Sequence, residues 1–274
     1  MAYIKSVLAK NGLYQRAKVS WIYDVYWTVF NRQIIDDRRA EMLFYRDLLD
    51  GLRDGDLIFD VGANGGYKTD IFLRIGAKVV AIEPDEASQR ILKQKFLNYN
   101  LRKKHLAVVG KAVSHESTIQ TMWIDKPGSA KNTLSPKWVD LLRDDGRRFG
   151  QRLDFKHCRD VETVSIERLI EAYGLPAFIK IDVEGHELNV LRGMARPVPL
   201  LSFEVNLPEF RDDGLECVRI LERLASAGTF NYSLDCRQGM ILKSWLNSSE
   251  FLPVLESCRA PSIEVFWKNR ALGE

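Results

Sequence analysis

No apolar run in the 274 residues approaches the 18 or so needed to cross a bilayer. No basic-then-apolar leader opens the sequence, which argues against export. The four cysteines, Cys158, Cys217, Cys236 and Cys258, lie far apart with no C-x-x-C, so neither a zinc site nor a disulfide framework is signalled. Together these absences suit a reduced, cytoplasmic setting. Charge of one sign is scarce as well: 40 Lys and Arg against 37 Asp and Glu leave +3, too little to argue for a nucleic-acid partner. No internal repeat is found, which sets solenoids aside. What remains is ordinary for a globular protein, 46% hydrophobic and 28% charged. The length suits one domain with an appendage.

The most informative stretch is Leu57–Thr69, L-I-F-D-V-G-A-N-G-G-Y-K-T. Leu57-Ile58-Phe59 reads as a strand buried on both faces, closed by Asp60. Gly62, Gly65 and Gly66 follow, with Asn64 between them, and Tyr67–Leu73 opens a helix. Strand, glycine turn and helix form a nucleotide cradle, because glycines allow close backbone approach and the helix start offers free N–H groups. Three ligands compete for it. A dinucleotide turn wants G-x-G-x-x-G, and Asn64 stands at its second glycine, tolerating the left-handed conformation. A P-loop wants G-x-x-x-x-G-K-[ST], and Gly62–Thr69 misses it only at Tyr67. S-adenosylmethionine calls for an acid near its cationic amino-acid end and a second acid on the ribose. Asp60 supplies the first and Glu83, closing the strand Lys78–Ile82, the second, near the ~20-residue spacing of a ribose-binding acid. The P-loop reading explains neither acid, so S-adenosylmethionine is favoured.

Residues 1–50 read as a helical N-terminal extension, and 51–274 as the main domain. Ser20–Phe30 is dense in aromatics, which suit packing on the domain or on a second copy in a homo-oligomer. Tyr14-x-x-x-Lys18 imitates a dehydrogenase pair but precedes the nucleotide turn, the wrong order. A helix is expected from Asp36-Asp37 to Gly51, another over Glu86–Tyr99, and strands at His105–Val109 and Ile119–Ile124. In 125–160 the basic residues Lys126, Lys131, Lys137, Arg143, Arg147, Arg148, Arg152, Lys156 and Arg159 outnumber the aspartates. That segment reads as an insertion or lid, without sheet elements, either closing over an anionic acceptor or forming a solvated loop whose charges serve solubility. A short strand Val161–Ser165 and a helix Ile166–Tyr173 lead to the second informative stretch, A-F-I-K-I-D-V-E-G-H-E at 177–187. There an apolar strand again ends in ionisable groups, ahead of a helix Glu187–Met194. Leu200–Asn206 is a further strand ending in an acid and an amide. Ligands in open parallel sheets bind beyond the strand C-termini, so Asp60, Glu83, Asp182 and Glu204 should converge on one crevice. A helix Leu215–Ala227, strand Phe230–Leu234, short helix Glu250–Leu255 and strand Ile263–Trp267 complete an α/β fold. Its sheet is doubly wound, seven-stranded and mostly parallel.

These blocks resemble the FkbM family of S-adenosylmethionine-dependent methyltransferases. The matching residues are Phe59–Tyr67, Ile82-Glu83-Pro84, Ala112-Val113, Ile179–Glu187 and Val190-Leu191-Arg192-Gly193. The resemblance runs from about residue 40 to residue 207, and the I-D-V-E-G-x-E…L-R-G block is its specific part. It implies a Rossmann-like class I fold and methylation of a hydroxyl on a sugar, glycan or secondary metabolite. Pro84 and Ala112 join the cofactor-binding set, with Gly62, Asn64, Gly65 and Gly66, by this resemblance. Glu167 stands where the family usually has aspartate, and the 125–160 segment and aromatic N-terminus do not follow the family pattern.

Methyl transfer needs an aligned acceptor oxygen and a group to take its proton. Asp182 is the first catalytic candidate, its alternative being a helix N-cap. Glu184 and Glu187 lie where the helix dipole favours acids in any case. His186 titrates in the range of a general base. Lys180 is a further catalytic candidate, its alternative being an ion pair with Asp182, and Lys68 is expected to be a solvated helix residue. Asp182, Glu204 and Asn206 together offer three oxygen ligands for Mg2+. The alternatives kept open are a P-loop kinase, with Gly62–Thr69 on phosphate, and a non-catalytic nucleotide-binding module.

Overall fold

The structure is a computed structural model, and it describes residues 32–103, 105–144 and 153–269. It opens with helix α1 (Arg32–Leu48). This helix starts ahead of Asp36-Asp37. Tyr14, Lys18 and the aromatic stretch Ser20–Phe30 lie outside the described residues.

The central sheet takes the apolar runs in the order β3-β2-β1-β7-β8-β10-β9. Its strands are β1 (Leu57–Val61), β2 (Lys78–Ile82), β3 (Leu106–Val109), β7 (Phe178–Ile181), β8 (Leu200–Asn206), β9 (Gly228–Ser233) and β10 (Ser262–Asn269). The first five run parallel, and β10 lies antiparallel between β8 and β9. This is the doubly wound, mostly parallel seven-stranded sheet expected. Near-continuous burial of β1, β2 and β7 follows from helices on both faces.

The helices are α2 (Tyr67–Arg74), α3 (Glu86–Lys95), α4 (Leu97–Lys103), α5 (Pro136–Asp144), α6 (Ile166–Tyr173), α7 (Glu187–Arg192), α8 (Arg211–Leu224) and α9 (Ser248–Ser257). The helix expected over Glu86–Tyr99 is broken at Phe96, which ends α3 and is fully buried. Two apolar clusters flank the sheet. One packs Phe72, Phe178 and Phe266 beneath Tyr45 of α1, and the other joins Trp138, Phe203, Phe210 and Trp267. No helix among the described residues is long and apolar enough to cross a membrane.

The basic segment differs from expectation. A second sheet, ordered β4-β6-β5, is built from β4 (Ala112–Val113), β5 (Ile119–Ile124) and β6 (His157–Val164). Strand β6 begins inside the supposed insertion, and α5 also lies within it. Strands β5 and β6 pair from Ile119↔Glu162 to Ile124↔His157, so the weak alternation of I-Q-T-M-W-I was the visible half of an antiparallel pair. Of the basic side chains, Lys131 pairs with Glu184 and Lys137 with Asp213. Arg143 donates to the Phe155 carbonyl, and Arg159 to Glu86 and the Pro84 carbonyl. Arg147, Arg148 and Arg152 lie outside the described residues.

Candidate active site

The glycine turn joins β1 to α2. Gly62, Asn64 and Gly66 all have positive φ, 83°, 44° and 74°. Asn64 tolerates this because its Oδ1 accepts the Gly65 N–H at 2.6 Å, an Asx-type local bond. The main-chain N–H of Asn64 donates to Glu83 Oε2 at 2.8 Å, and that of Asp85 to Oε1 at 2.8 Å. The second acid is thus clamped at the end of β2, beside the first turn. Burial pushes its carboxyl up to about 7. Each oxygen keeps a lone pair for a further donor.

A cleft beyond the strand ends gathers most of the expected residues. Gly62, Asn64, Glu83, Pro84, Ala112, Asp182, Glu184 and His186 line it together, with Val113 and Met122 as apolar wall. Gly65 and Asp60 face a wider adjoining cleft of about 770 Å3 that reaches α1. Gly66 lines neither; its position is conformational, since a Cβ there would press within 2.7 Å of Leu92 and Phe96. Asp60 itself is buried and accepts the Thr69 hydroxyl. Burial raises it to about 6 against the opposing pull of Thr69 and Lys180.

Lys180 is buried on β7, with its Nζ 2.9 Å from Asp182 and 3.7 Å from Glu264. Burial would strip its proton, but the two carboxylates outweigh that and raise its pKa. Asp182 in turn is held below the ordinary carboxylate range, Lys180 overcoming its burial. Its side chain remains about 39% exposed, so it is a standing anion open to a ligand. Glu264 also accepts from Ser202 at 2.7 Å and from Tyr45 at 3.4 Å. Sequence reasoning missed Glu264, although a charged residue inside the apolar run of β10 was a usable signal.

The remaining acids serve different ends. Glu184 sits at φ 55°, its Oε1 3.0 Å from Lys131 Nζ and its Oε2 accepting Trp138 Nε1 at 3.1 Å. Burial raises it to about 7 against the pull of Lys131. Glu187 Oε1 accepts the N–H groups of Val183 and Gly185, closing the turn before α7. His186 Nδ1 faces the Asn189 amide at 3.2 Å and Nε2 the Ser114 hydroxyl at 3.1 Å. The amide nitrogen can only donate, so Nδ1 accepts and Nε2 carries the hydrogen. With burial depressing its pKa to about 4, the ring has no nitrogen free for a proton. His186, expected as a general base, thus lies in the cleft wall with both ring nitrogens hydrogen-bonded within the protein.

Three further expectations change. Lys68 is largely buried: it pairs with Glu41 of α1 and lies 5.3 Å over the Tyr45 ring. Burial lowers its pKa. With Lys68 turned to α1 and the Thr69 hydroxyl given to Asp60, the lysine and hydroxyl of a P-loop are both committed, and the kinase alternative has no support. Among the described residues no group of three or more His, Cys, Asp and Glu could hold a metal. Asp182 is taken by Lys180, while Glu204 accepts from Asn206 at 3.2 Å and from Ser262 at 2.7 Å. Two of the three proposed Mg2+ ligands, Glu204 and Asn206, are thus bonded to each other, and Mg2+ finds no support.

A 3-2-1-7-8-10-9 sheet with a glycine turn after its first strand and acids at the ends of β1, β2 and β7 defines a Rossmann-like class I methyltransferase fold. Within that class, residues 60–229 match the methyltransferase FkbM domain, and the chain belongs to that family. Methyltransferase FkbM from Methylobacillus flagellatus KT is 16% identical with a TM-score of 0.51, over 96% of this chain and 60% of its own. A SAM-dependent methyltransferase from Agrobacterium tumefaciens is 9% identical with a TM-score of 0.42, over 85% of this chain and 62% of its own. The chain therefore spans about three fifths of the length of these solved proteins. No curated protein matches it.

Proposed function

We propose that the chain is an S-adenosylmethionine-dependent O-methyltransferase acting on a hydroxyl of a sugar, glycan or secondary metabolite. The observation that carries this reading is the placement of Asp182. It stands in the wall of the Glu83 cleft, of the wider cleft at the glycine turn, and of a third, polar cleft of about 350 Å3 bounded by Glu204, Ser262 and Arg237. One carboxylate thus borders both the clefts at the glycine turn and Glu83 and a separate polar chamber that suits an acceptor.

The donor set fits the cofactor. The spare lone pairs of Glu83 suit two vicinal ribose hydroxyls, Val113 and Met122 suit a flat base, and Asp60 with Asp182 suits a cation. When bound, S-adenosylmethionine supplies an electrophilic methyl group. The protein's part is alignment: Asp182, kept anionic by Lys180, accepts an O–H of the acceptor beside the reacting one and so turns the reacting oxygen's lone pair toward the donor cleft. Lys180 takes no proton at neutral pH, because two carboxylates hold its own.

Calorimetry tests the cofactor assignment. S-adenosylmethionine should bind the wild type, and ATP and NAD should not. Glu83→Gln should lose roughly 1.5–3 kcal/mol of binding, about 10- to 150-fold. Transfer of labelled methyl to a panel of methyl glycosides, read by mass spectrometry, tests the acceptor class. Binding of ATP or NAD instead, or undiminished binding in Glu83→Gln, would overturn the reading.

A further inference from the structure

The acceptor's proton needs a destination, and most carboxylates of the polar cleft are unsuited to be it. Asp182 is neutralised by Lys180 at 2.9 Å, Glu41 by Lys68, and Asp235 by Arg237 at 2.6 Å. Glu264 is bound by Lys180 at 3.7 Å and by the Ser202 hydroxyl. Glu204 differs. Its hydrogen-bond partners are neutral, the Ser262 hydroxyl on Oε1 and the Asn206 amide on Oε2, and among the described residues no cation lies within ion-pair distance. Each oxygen is held in place by one donor and retains a lone pair.

Position singles out the same residue. Strands β7 and β8 run parallel with Ile181 beside Phe203, so Asp182 and Glu204 follow as neighbours at adjacent strand ends. Such backbones lie about 4.8 Å apart. Lys180 pairs with Ser202 two residues earlier, so Asp182 and Glu204 point to the same face. Both line the polar cleft, and Glu204 is partly buried.

Resting on the methyltransferase reading, we infer that Glu204 is the catalytic proton acceptor for a hydroxyl seated in the polar cleft between β8, β10 and the Ser233–Arg237 turn, with Asp182 orienting the acceptor through a neighbouring donor. The oxygen lone pair forms the new C–O bond, and the methyl–sulfur bond breaks with its pair left on the sulfonium sulfur. The O–H pair stays on oxygen, and the proton passes to a free lone pair of Glu204, which releases it to solvent through the open cleft. A methylated hydroxyl still carrying its proton is a very strong acid, so a carboxylate suffices as base.

The groups facing Glu204 are Asp182 and Lys180 on β7, Glu264 on β10, Glu187 on α7, and Lys131 in the loop before α5. Burial and Asp182 raise the Glu204 carboxyl, while Ser262, Lys180 and Lys131 restrain it. The two neighbouring acids are thereby pushed apart, one down and one up, the pattern of a divided orienting and proton-accepting pair.

Glu204→Gln separates the possibilities. It should bind S-adenosylmethionine within about twofold of wild type, yet lose roughly 10²- to 10⁴-fold in kcat on the methyl glycoside that accepts label, with Glu204→Asp restoring part. A second readout needs no turnover. Carbon-13 NMR of labelled glutamate in the cofactor-free chain should show Glu204 titrating above the ordinary ~4.3, and Asp182→Asn should bring it down. Undiminished kcat in Glu204→Gln, or an ordinary Glu204 titration untouched by Asp182→Asn, overturns the assignment. A wild type that fails to bind S-adenosylmethionine would instead sink the methyltransferase reading, and the NMR result would still decide the pairing.

Discussion

A Cβ placed on Gly62 would lie 1.8 Å from the main-chain oxygen of Asp182. The first turn of the cofactor site and the end of β7 are therefore in backbone contact, and only glycine lets them meet. Gly62 also has φ 83°, a conformation that costs other residues about 1–2 kcal/mol before any clash. Gly62→Ala should lower unfolding free energy by more than about 2 kcal/mol and displace Asp182. Gly65→Ala is the control, since its φ is not positive and its nearest neighbour would be Ile91 at 3.9 Å. Urea unfolding of the pair checks this. Equal effects would show that the contact does not govern the turn.

The strand-end acids were legible because a buried apolar run that stops at a charge leaves few readings. Asp60, Glu83 and Asp182 each close such a run, and the sheet order places them together. Partners brought from afar were not legible. Lys68 read as solvated because Glu41 and Tyr45 belong to a helix more than twenty residues earlier. Glu184 read as a helix-start acid, yet Lys131 and Trp138 hold it. Strand β6 was half hidden, because its first residues, His157–Asp160, are mostly exposed and carry no apolar alternation. Glu264 was passed over because the run around it reads as plain core.

Stability should fall as pH rises from 6.5 to 8.5. Burial raises Glu83 and Glu184 to about 7 and Glu187 to about 8 in the folded state. The unfolded values are near 4.3, so in this window the native state binds more protons. The stability these groups contribute is present below pH 4.3 and is lost as pH passes through the folded values. His186 has the opposite sign, but it loses its contribution only below its unfolded value of 6.5. Glu187→Gln keeps an oxygen for Val183 and Gly185 and removes the titration. Its melting temperature should change less across the window than that of wild type, by up to about 1.4 kcal/mol per pH unit in stability. A parallel slope in both proteins would refute the assignment.

Lys180→Met should cost about 3–5 kcal/mol at pH 7, because Asp182 and Glu264 lose the cation between them. Both carboxyls are depressed in the wild type, so the stability they contribute is present above about pH 4 and lost as pH falls through their folded values. In the variant, burial without the cation raises both carboxyls, which take up protons as pH falls while those of wild type stay ionised, so the gap should narrow toward pH 4. Chemical unfolding at the two pH values measures it, and a gap independent of pH would mean that the lysine stabilises by packing alone.

The segment before α5 should govern cofactor affinity from outside the glycine turn. Ser129, Ala130, Asn132, Thr133 and Leu134 form one wall of the Glu83 cleft. That wall is anchored at Glu184, where Lys131 and Trp138 hold the two carboxylate oxygens and the Thr133 hydroxyl donates to the main-chain oxygen at 2.7 Å. A second tie runs from Asn132 Nδ2 to Asp85 Oδ2 at 2.8 Å. Trp138→Phe keeps a ring against Phe210 but leaves Glu184 Oε2 without its donor, and should cost about 1–3 kcal/mol of stability. Lys131→Met removes the cation that restrains Glu184, whose carboxyl, already near 7, should rise further. Neither side chain lines the cleft, so loss of direct contact cannot account for any change in binding. If the anchor sets the wall, both variants should weaken S-adenosylmethionine binding by roughly 3- to 30-fold in calorimetry, and Lys131→Met more so at pH 8 than at pH 6, where Glu184 is protonated in either protein. Full affinity in both variants would show that the wall stands without Glu184.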